Sequence, residues 1–232
     1  MKQIIQLGIR RSGNHGITNL LVQSFNDQKY TVHLNDLQDK GMKWYRYFKQ
    51  QPITKNYMDR EWAGFKGCSL CVFSFENQRL TRHFIRDLQK LKKKQNDLHL
   101  LIILRHPFNN LASAYRIYTQ NGQIQNKETL DRCLEIKSLW KEYASFILKK
   151  NKDFQPIFYY KFYNDKSYRE NICKKLGIRC DDSKLTKIYS WGWSSFSGYN
   201  KLDYNALFSR YKNYEDDEWF KQNVLQDTEL KN

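Results

Sequence analysis

The chain has 232 residues, enough to close one sizeable hydrophobic core. Its 40 Lys and Arg outnumber 24 Asp and Glu, giving a formal charge of +16 that favours anionic partners such as nucleotides, polyanions or membrane surfaces. It contains no unbroken apolar run of about 18 residues, the length a membrane helix needs, so no membrane span is expected.

Residues 4–7 form a short apolar run ending at Gly8, and Ile17, Leu20, Leu21 and Phe25 then repeat at helical spacing, which predicts strand, loop, helix. Residues 30–34 and 70–75 are the next strand candidates, and residues 98–104 are so continuously apolar that they predict a strand buried on both faces. Leu111, Ala114, Tyr115 and Tyr118 mark a helix, and Cys133, Ile136, Trp140, Tyr143, Ala144 and Ile147 a longer one. A fifth strand is expected over 156–160, then a short helix around Ile172, Cys173 and Leu176 stopped at Gly177. Residues 36–69 and 181–204 lack a clean period and read as irregular excursions.

The alternation predicts an α/β fold, a single-domain parallel sheet flanked by helices over residues 1–232. A polar tail of about residues 204–232 is expected at the periphery. Ligands of such a sheet collect at the carboxyl ends of its strands. The Lys-rich tracts 90–94 and 149–152 read as solvated helix ends. Cysteines 68, 71, 133, 173 and 180 are odd in number and follow no apolar leader, so reduced thiols and a cytoplasmic setting are expected. Cys68 and Cys71 form a CxxC, but in a strand they point to opposite faces, which argues against zinc.

Two loops carry the chemistry. GIRRSGNH, residues 8–15, joins strand to helix, so backbone N–H groups and the positive helix end converge as phosphate binding requires. Asn14 and His15 hold the places of the Walker Lys and the magnesium-binding hydroxyl, which disfavours a magnesium-dependent NTPase. Arg10 and Arg11 bring fixed charge that can neutralise an anhydride without a metal. In the second loop Arg105 closes an apolar strand, Pro107 suits a first helical turn, and Ser113 follows early in the helix.

RRSGNH resembles the 5'-phosphosulfate loop of the sulfotransferase family, and R-x-P with a Ser eight residues after the Arg resembles that family's 3'-phosphate motif. The resemblance implies a P-loop NTPase-like sulfotransferase architecture, 3'-phosphoadenosine 5'-phosphosulfate (PAPS) as donor, adenosine 3',5'-bisphosphate as product, and no metal. It assigns Arg11 to the 5'-phosphate and bridging oxygen, with Arg10, Ser12, Gly13, Asn14 and His15 around the phosphosulfate, and Arg105 and Ser113 to the 3'-phosphate. Arg10 stands where the family often has Pro, and Asn14 and His15 replace its Thr pair. PIFYYKFYNDKSYRENICKKLG, residues 156–177, is similar to the family's strand and helix, which makes Tyr160 a candidate adenine contact, although Lys161 replaces the usual Glu. The family's third cofactor segment is not recognisable; Ser194 and Ser195 stand in its place as candidates.

Sulfuryl transfer also needs a base for the acceptor proton. Family members use a His or a Glu near the end of the strand that here delivers Glu76; His33 and Asp36, after the second strand, are alternatives. The implied activity is transfer to a hydroxyl or amine of a small-molecule or saccharide acceptor, with no nucleic-acid partner expected. A nucleotide-dependent phosphotransferase and a non-enzymatic polyanion-binding protein are the competing readings.

Overall fold

The computed structural model describes residues 2–25, 31–37, 70–182 and 208–231. Strand β1 (Lys2–Gly8), helix α1 (Asn14–Ser24) and strand β2 (Thr31–Leu37) are followed by β3 (Leu70–Glu76), α2 (Arg82–Lys94), β4 (Leu98–Leu104), α3 (Pro107–Tyr118), α4 (Lys127–Leu148), β5 (Phe154–Phe158), α5 (Tyr159–Asn164) and α6 (Lys166–Lys175). The strands form one sheet in the order β2-β3-β1-β4-β5, and every pairing is parallel.

Successive strand side chains point to opposite faces, and here both faces are covered. Ile5, Leu7, Phe73, Phe75, Leu100 and Ile102 pack with Phe84 and Leu88 of α2, Leu111 of α3 and Tyr143 of α4. Ile4, Val72, Leu101 and Ile103 pack on the other face with Ile17 and Leu21 of α1, Phe162 of α5 and Ile172 of α6. The uninterrupted apolar sequence of β4 follows from this two-sided burial. Polar side chains fix where the helices begin: Thr81, Asn126 and Asp165 accept from the backbone N–H groups of Phe84, Thr129 and Tyr168 at the starts of α2, α4 and α6.

Two expectations change. The fifth strand is displaced toward the N-terminus: it ends at Phe158, and Tyr159 and Tyr160 already belong to α5. The tail is not merely peripheral, because Phe220, Val224 and Leu230 are buried in the core and Trp219 stacks on Tyr115 at 5.3 Å between ring centroids. Its polar composition hides an apolar side that covers α3 and α4. Cys71, Cys133, Cys173 and Cys180 form no disulfide among the described residues, and Cys68 lies outside them. No helix of the described residues is long and apolar enough to cross a membrane.

The chain places β3 on one side of β1 and then β4 on the other. Such a switch leaves a crevice outside the carboxyl ends of the central strands. The register sets Gly8, the last residue of β1, opposite Glu76 of β3 and Ile103 of β4. The loops carrying Arg11, Glu76 and Arg105 therefore leave the sheet side by side.

Candidate functional site

The loop after β1 is shaped by backbone conformations that few side chains tolerate. Arg11 has φ 68° and Gly13 φ 92°, both left-handed, so the chain folds back before α1 starts at Asn14. A Cβ on Gly13 would come within 1.9 Å of the Tyr159 ring, and one on Gly8 within 2.0 Å of the Asn14 side chain. Glycine is required at both places because the loop is pressed against its neighbours. Its first helical turn carries no acidic residue, which leaves the positive end of α1 uncompensated by its own sequence.

Asn14 ties this loop to β3. Its buried amide donates to Glu76 Oε1 at 3.0 Å and to the Ile9 carbonyl at 3.3 Å, and its oxygen accepts from Ser12 Oγ at 2.7 Å. The Ser12 hydroxyl and the Asn14 amide thus hold the loop closed from inside. Beneath them Gln6 donates to the Asn14 carbonyl and accepts from Thr18 Oγ1. Asn77, next after Glu76, donates its backbone N–H to the Gly8 carbonyl and accepts from that of Arg10. Glu76 pairs with Arg10, whose Nε lies at 3.5 Å, and has His15 Nε2 at 3.9 Å; only 11 % of its side chain is exposed. It does not open a helix, since α2 begins six residues later.

The loop after β4 makes a second pocket. Arg105 is 4 % exposed; its Nη1 donates to the Arg11 carbonyl at 3.0 Å and reaches Ser113 Oγ at 3.4 Å. Its guanidinium lies 4.9 Å over the Tyr159 ring, and its backbone carbonyl accepts from Trp140 Nε1. Ser113, fully buried, donates to the Asn109 carbonyl, which leaves its oxygen to accept from arginine. The predicted pair Arg105 and Ser113 is therefore in contact. Asn110 donates to the Arg10 carbonyl and so ties α3 to the first loop.

A second arginine enters this pocket from the tail. Arg210 Nη1 donates to the same Ser113 Oγ at 2.9 Å. Asn109 holds that segment in place, accepting from the Arg210 backbone N–H at 2.8 Å and donating to the Phe208 carbonyl at 2.8 Å. Burial and the neighbouring Arg105 push the Arg210 guanidinium down to about 9, and burial also lowers those of Arg105 and Arg11. Tyr159 is among the groups that favour the charge of both Arg105 and Arg210. A buried cluster of cations of this kind is complementary to an anion. Sequence reading passed over Arg210, which follows no strand and lies 97 positions from Ser113; the Arg within an aromatic FSRY run was its only signal.

The remaining candidates fall in different places. Tyr160 is 58 % exposed and meets Phe208 edge-on, while its neighbour Tyr159 is the ring buried between Gly13 and Arg105. His33 lies on β2 opposite Val72, and Asp36 on the same strand where the register with β3 shifts. Ser194 and Ser195 lie outside the described residues. Among the described residues, no three His, Cys, Asp or Glu are grouped to hold a metal ion.

No protein-family model matches the chain, and no curated protein matches its sequence. Solved structures similar in fold include mouse sulfotransferase SULT7A1 complexed with PAP, at 16 % identity and TM-score 0.48, with 99 % of this chain and 87 % of that one covered. A sulfotransferase from Alicyclobacillus acidocaldarius matches at 14 % identity and TM-score 0.46, covering 78 % of this chain and 83 % of the other. The sulfotransferase domain from the Synechococcus PCC 7002 olefin synthase matches at 13 % identity and TM-score 0.45, covering 91 % and 87 %.

Proposed function

We propose that the chain is a sulfotransferase that takes a sulfuryl group from PAPS to a hydroxyl or amine and releases adenosine 3',5'-bisphosphate. The observation that carries this reading is the pair of adjoining cationic sites, one on the glycine-shaped loop after β1 and the other at Arg105, Ser113 and Arg210. A nucleotide bearing phosphate at both its 5' and 3' positions satisfies both; one with a 5'-phosphate alone leaves the second pocket unfilled.

PAPS supplies an activated sulfuryl group whose bond to the 5'-phosphate breaks as the acceptor oxygen or nitrogen attacks sulfur. In this reading Arg11 and the amide groups at the start of α1 offset the charge gathering on the leaving phosphate. Arg10, exposed at the mouth, extends that positive field outward. Glu76 takes the proton of the acceptor, with Asn14 fixing its carboxylate. Arg105 and Arg210 hold the 3'-phosphate through charge-assisted hydrogen bonds, with Ser113 as a hydroxyl between them. Tyr159 backs the loop, and exposed Tyr160 is the ring this reading assigns to the adenine.

Calorimetric titration tests this against its rivals in one series. Adenosine 3',5'-bisphosphate is expected to bind more tightly than 5'-AMP and ATP, and a single-stranded oligonucleotide weakly. Preference for ATP, strengthened by magnesium, would restore the phosphotransferase reading, and preference for the oligonucleotide the polyanion-binding one. Turnover of PAPS against a panel of phenols, saccharides and amines would then identify the acceptor.

A further inference from the structure

The basic tracts of the sequence take no part in the site just described. In a parallel sheet each connecting helix runs back, so the ends of α2 and α4 lie at the amino edge, opposite the loops that carry the arginines. Their two lysine tracts adjoin: Lys92 Nζ donates to the Asp153 carbonyl at 2.6 Å, and Gln89 Nε2 to Asp153 Oδ2 at 2.7 Å. Around this contact Lys90, Lys93, Lys94, Lys149, Lys150 and Lys152 are all exposed. The neighbouring carboxylates already have partners, Asp97 facing Lys2 at 3.2 Å and Asp153 facing Lys92 at 4.0 Å.

Helix termini explain part of this charge only. Lysines in the last turn of α2 complement its dipole, but α4 has no basic residue in its last turn, and Lys149, Lys150 and Lys152 follow the helix instead of belonging to it. At the start of the second tract stands Leu148, 78 % exposed, the most exposed large hydrophobic side chain among the described residues. A solvated helix end has no use for such a side chain, and leucine offers no stacking face of the kind single-stranded nucleic acid uses. An exposed apolar side chain followed directly by exposed lysines fits a surface that is negative outside and hydrocarbon beneath.

We infer that the amino edge of the sheet, Leu148 with the lysines of the 90–94 and 149–152 tracts, is a docking surface for anionic lipid membranes. The long lysine side chains reach the headgroups while Leu148 enters the interface. Docked this way, the crevice at the opposite edge faces the aqueous phase, so membrane binding and nucleotide binding are independent properties.

Cosedimentation of the full chain with vesicles tests the inference. Binding is expected to phosphatidylcholine vesicles containing phosphatidylserine, to fall as salt rises, and to be absent with phosphatidylcholine alone. Each lysine near the surface contributes about fivefold, so the Lys149→Glu/Lys150→Glu/Lys152→Glu variant is expected to bind roughly 100-fold more weakly or worse. Leu148→Ser is expected to weaken vesicle binding about tenfold while leaving binding to heparin, a soluble polyanion, unchanged. All these positions are exposed, and thermal melting of each variant checks that the fold is intact. No binding to the anionic vesicles, equal binding to neutral ones, or Leu148→Ser without effect on vesicles would each overturn the inference. The last result, with heparin bound tightly, would instead identify a polyanion surface.

Discussion

The loops after β1 and β4 are built on opposite plans. The first is a backbone device: glycines and left-handed residues within six positions fold the chain, its polar side chains face inward to hold that shape, and its charges, Arg10 and half-buried Arg11, stay near solvent. The second is a side-chain device, in which buried Arg105 and Arg210 meet at one serine hydroxyl. The first is local, so its sequence is contiguous, whereas the second needs the tail to be docked by Asn109 before it is complete. The two also differ in cost, since burial disfavours the charged guanidinium groups of the second.

The junction between the two devices is where the largest effect is expected. Glu76 is held by the first loop through Asn14 and ends β3 beside Gly8, where that loop begins. Replacing it with Gln keeps an oxygen to accept from Asn14 but removes the basicity, so turnover is expected to fall by about 10² to 10⁴ with donor affinity preserved. Steady-state kinetics beside calorimetry measures both. A variant turning over at the parental rate would pass the role of base to His33 or Asp36.

Arg210→Met isolates the second device. Affinity for adenosine 3',5'-bisphosphate is expected to drop about 10- to 100-fold, with little change for 5'-AMP, because one charge-assisted contact is lost. Its folded-state pKa, pushed down to about 9 by burial and by Arg105, lies below the ordinary arginine value that the unfolded chain keeps. The unfolded chain therefore holds more protons between those limits, and at neutral pH the burial of this charge opposes folding in full. The methionine variant is accordingly expected to melt no lower than the parent without ligand, yet to lose most of the rise in Tm that adenosine 3',5'-bisphosphate produces. Equal nucleotide-induced shifts in parent and variant would remove Arg210 from the site.

How much of this was legible follows from the same contrast. Strand alternation and the helical periods expose the sheet and both cores, since burial on two faces leaves its mark on every strand. The RRSGNH loop is visible because its geometry depends on neighbours in sequence. Arg105 and Ser113 are one helical span apart and visible for the same reason. Arg210 is not, because contact with a hydroxyl 97 positions away leaves no local pattern. The sequence places the end of β5 two residues too late, at Tyr160 instead of Phe158, so it does not distinguish the buried ring of Tyr159 from the exposed one of Tyr160. The inward turn of Asn14 toward Glu76 likewise depends on the register between β1 and β3.

Gly13→Ala probes the first device with a smaller effect. The new methyl meets the Tyr159 ring and sits at φ 92°, so a loss of about 1–3 kcal/mol in stability is expected, seen as a lower Tm in thermal melting. Tyr159 also lies beneath Arg105, so nucleotide affinity falls with it. Unchanged melting and affinity would mean that the loop relaxes freely and that its tight packing is incidental.

The smallest expected effect is none at all, and it bears on what the first device is for. A magnesium-dependent phosphate loop places a Lys and a hydroxyl where this chain has Asn14 and His15, and here the Asn14 amide is spent on Glu76 and the Ile9 carbonyl. In the proposed reaction countercharge for the leaving phosphate comes from Arg11, whose guanidinium needs no exchangeable ion. Sulfuryl transfer measured with excess EDTA is therefore expected to match the rate without it, and added magnesium to leave that rate unchanged. Arg11→Ala, in the same assay, is expected to weaken donor binding and turnover together, because the charge is used both before and during bond breaking. Activity lost on chelation and restored by magnesium would show that a metal performs the task assigned to Arg11, and the contrast between the two loops would then have to be redrawn around that ion.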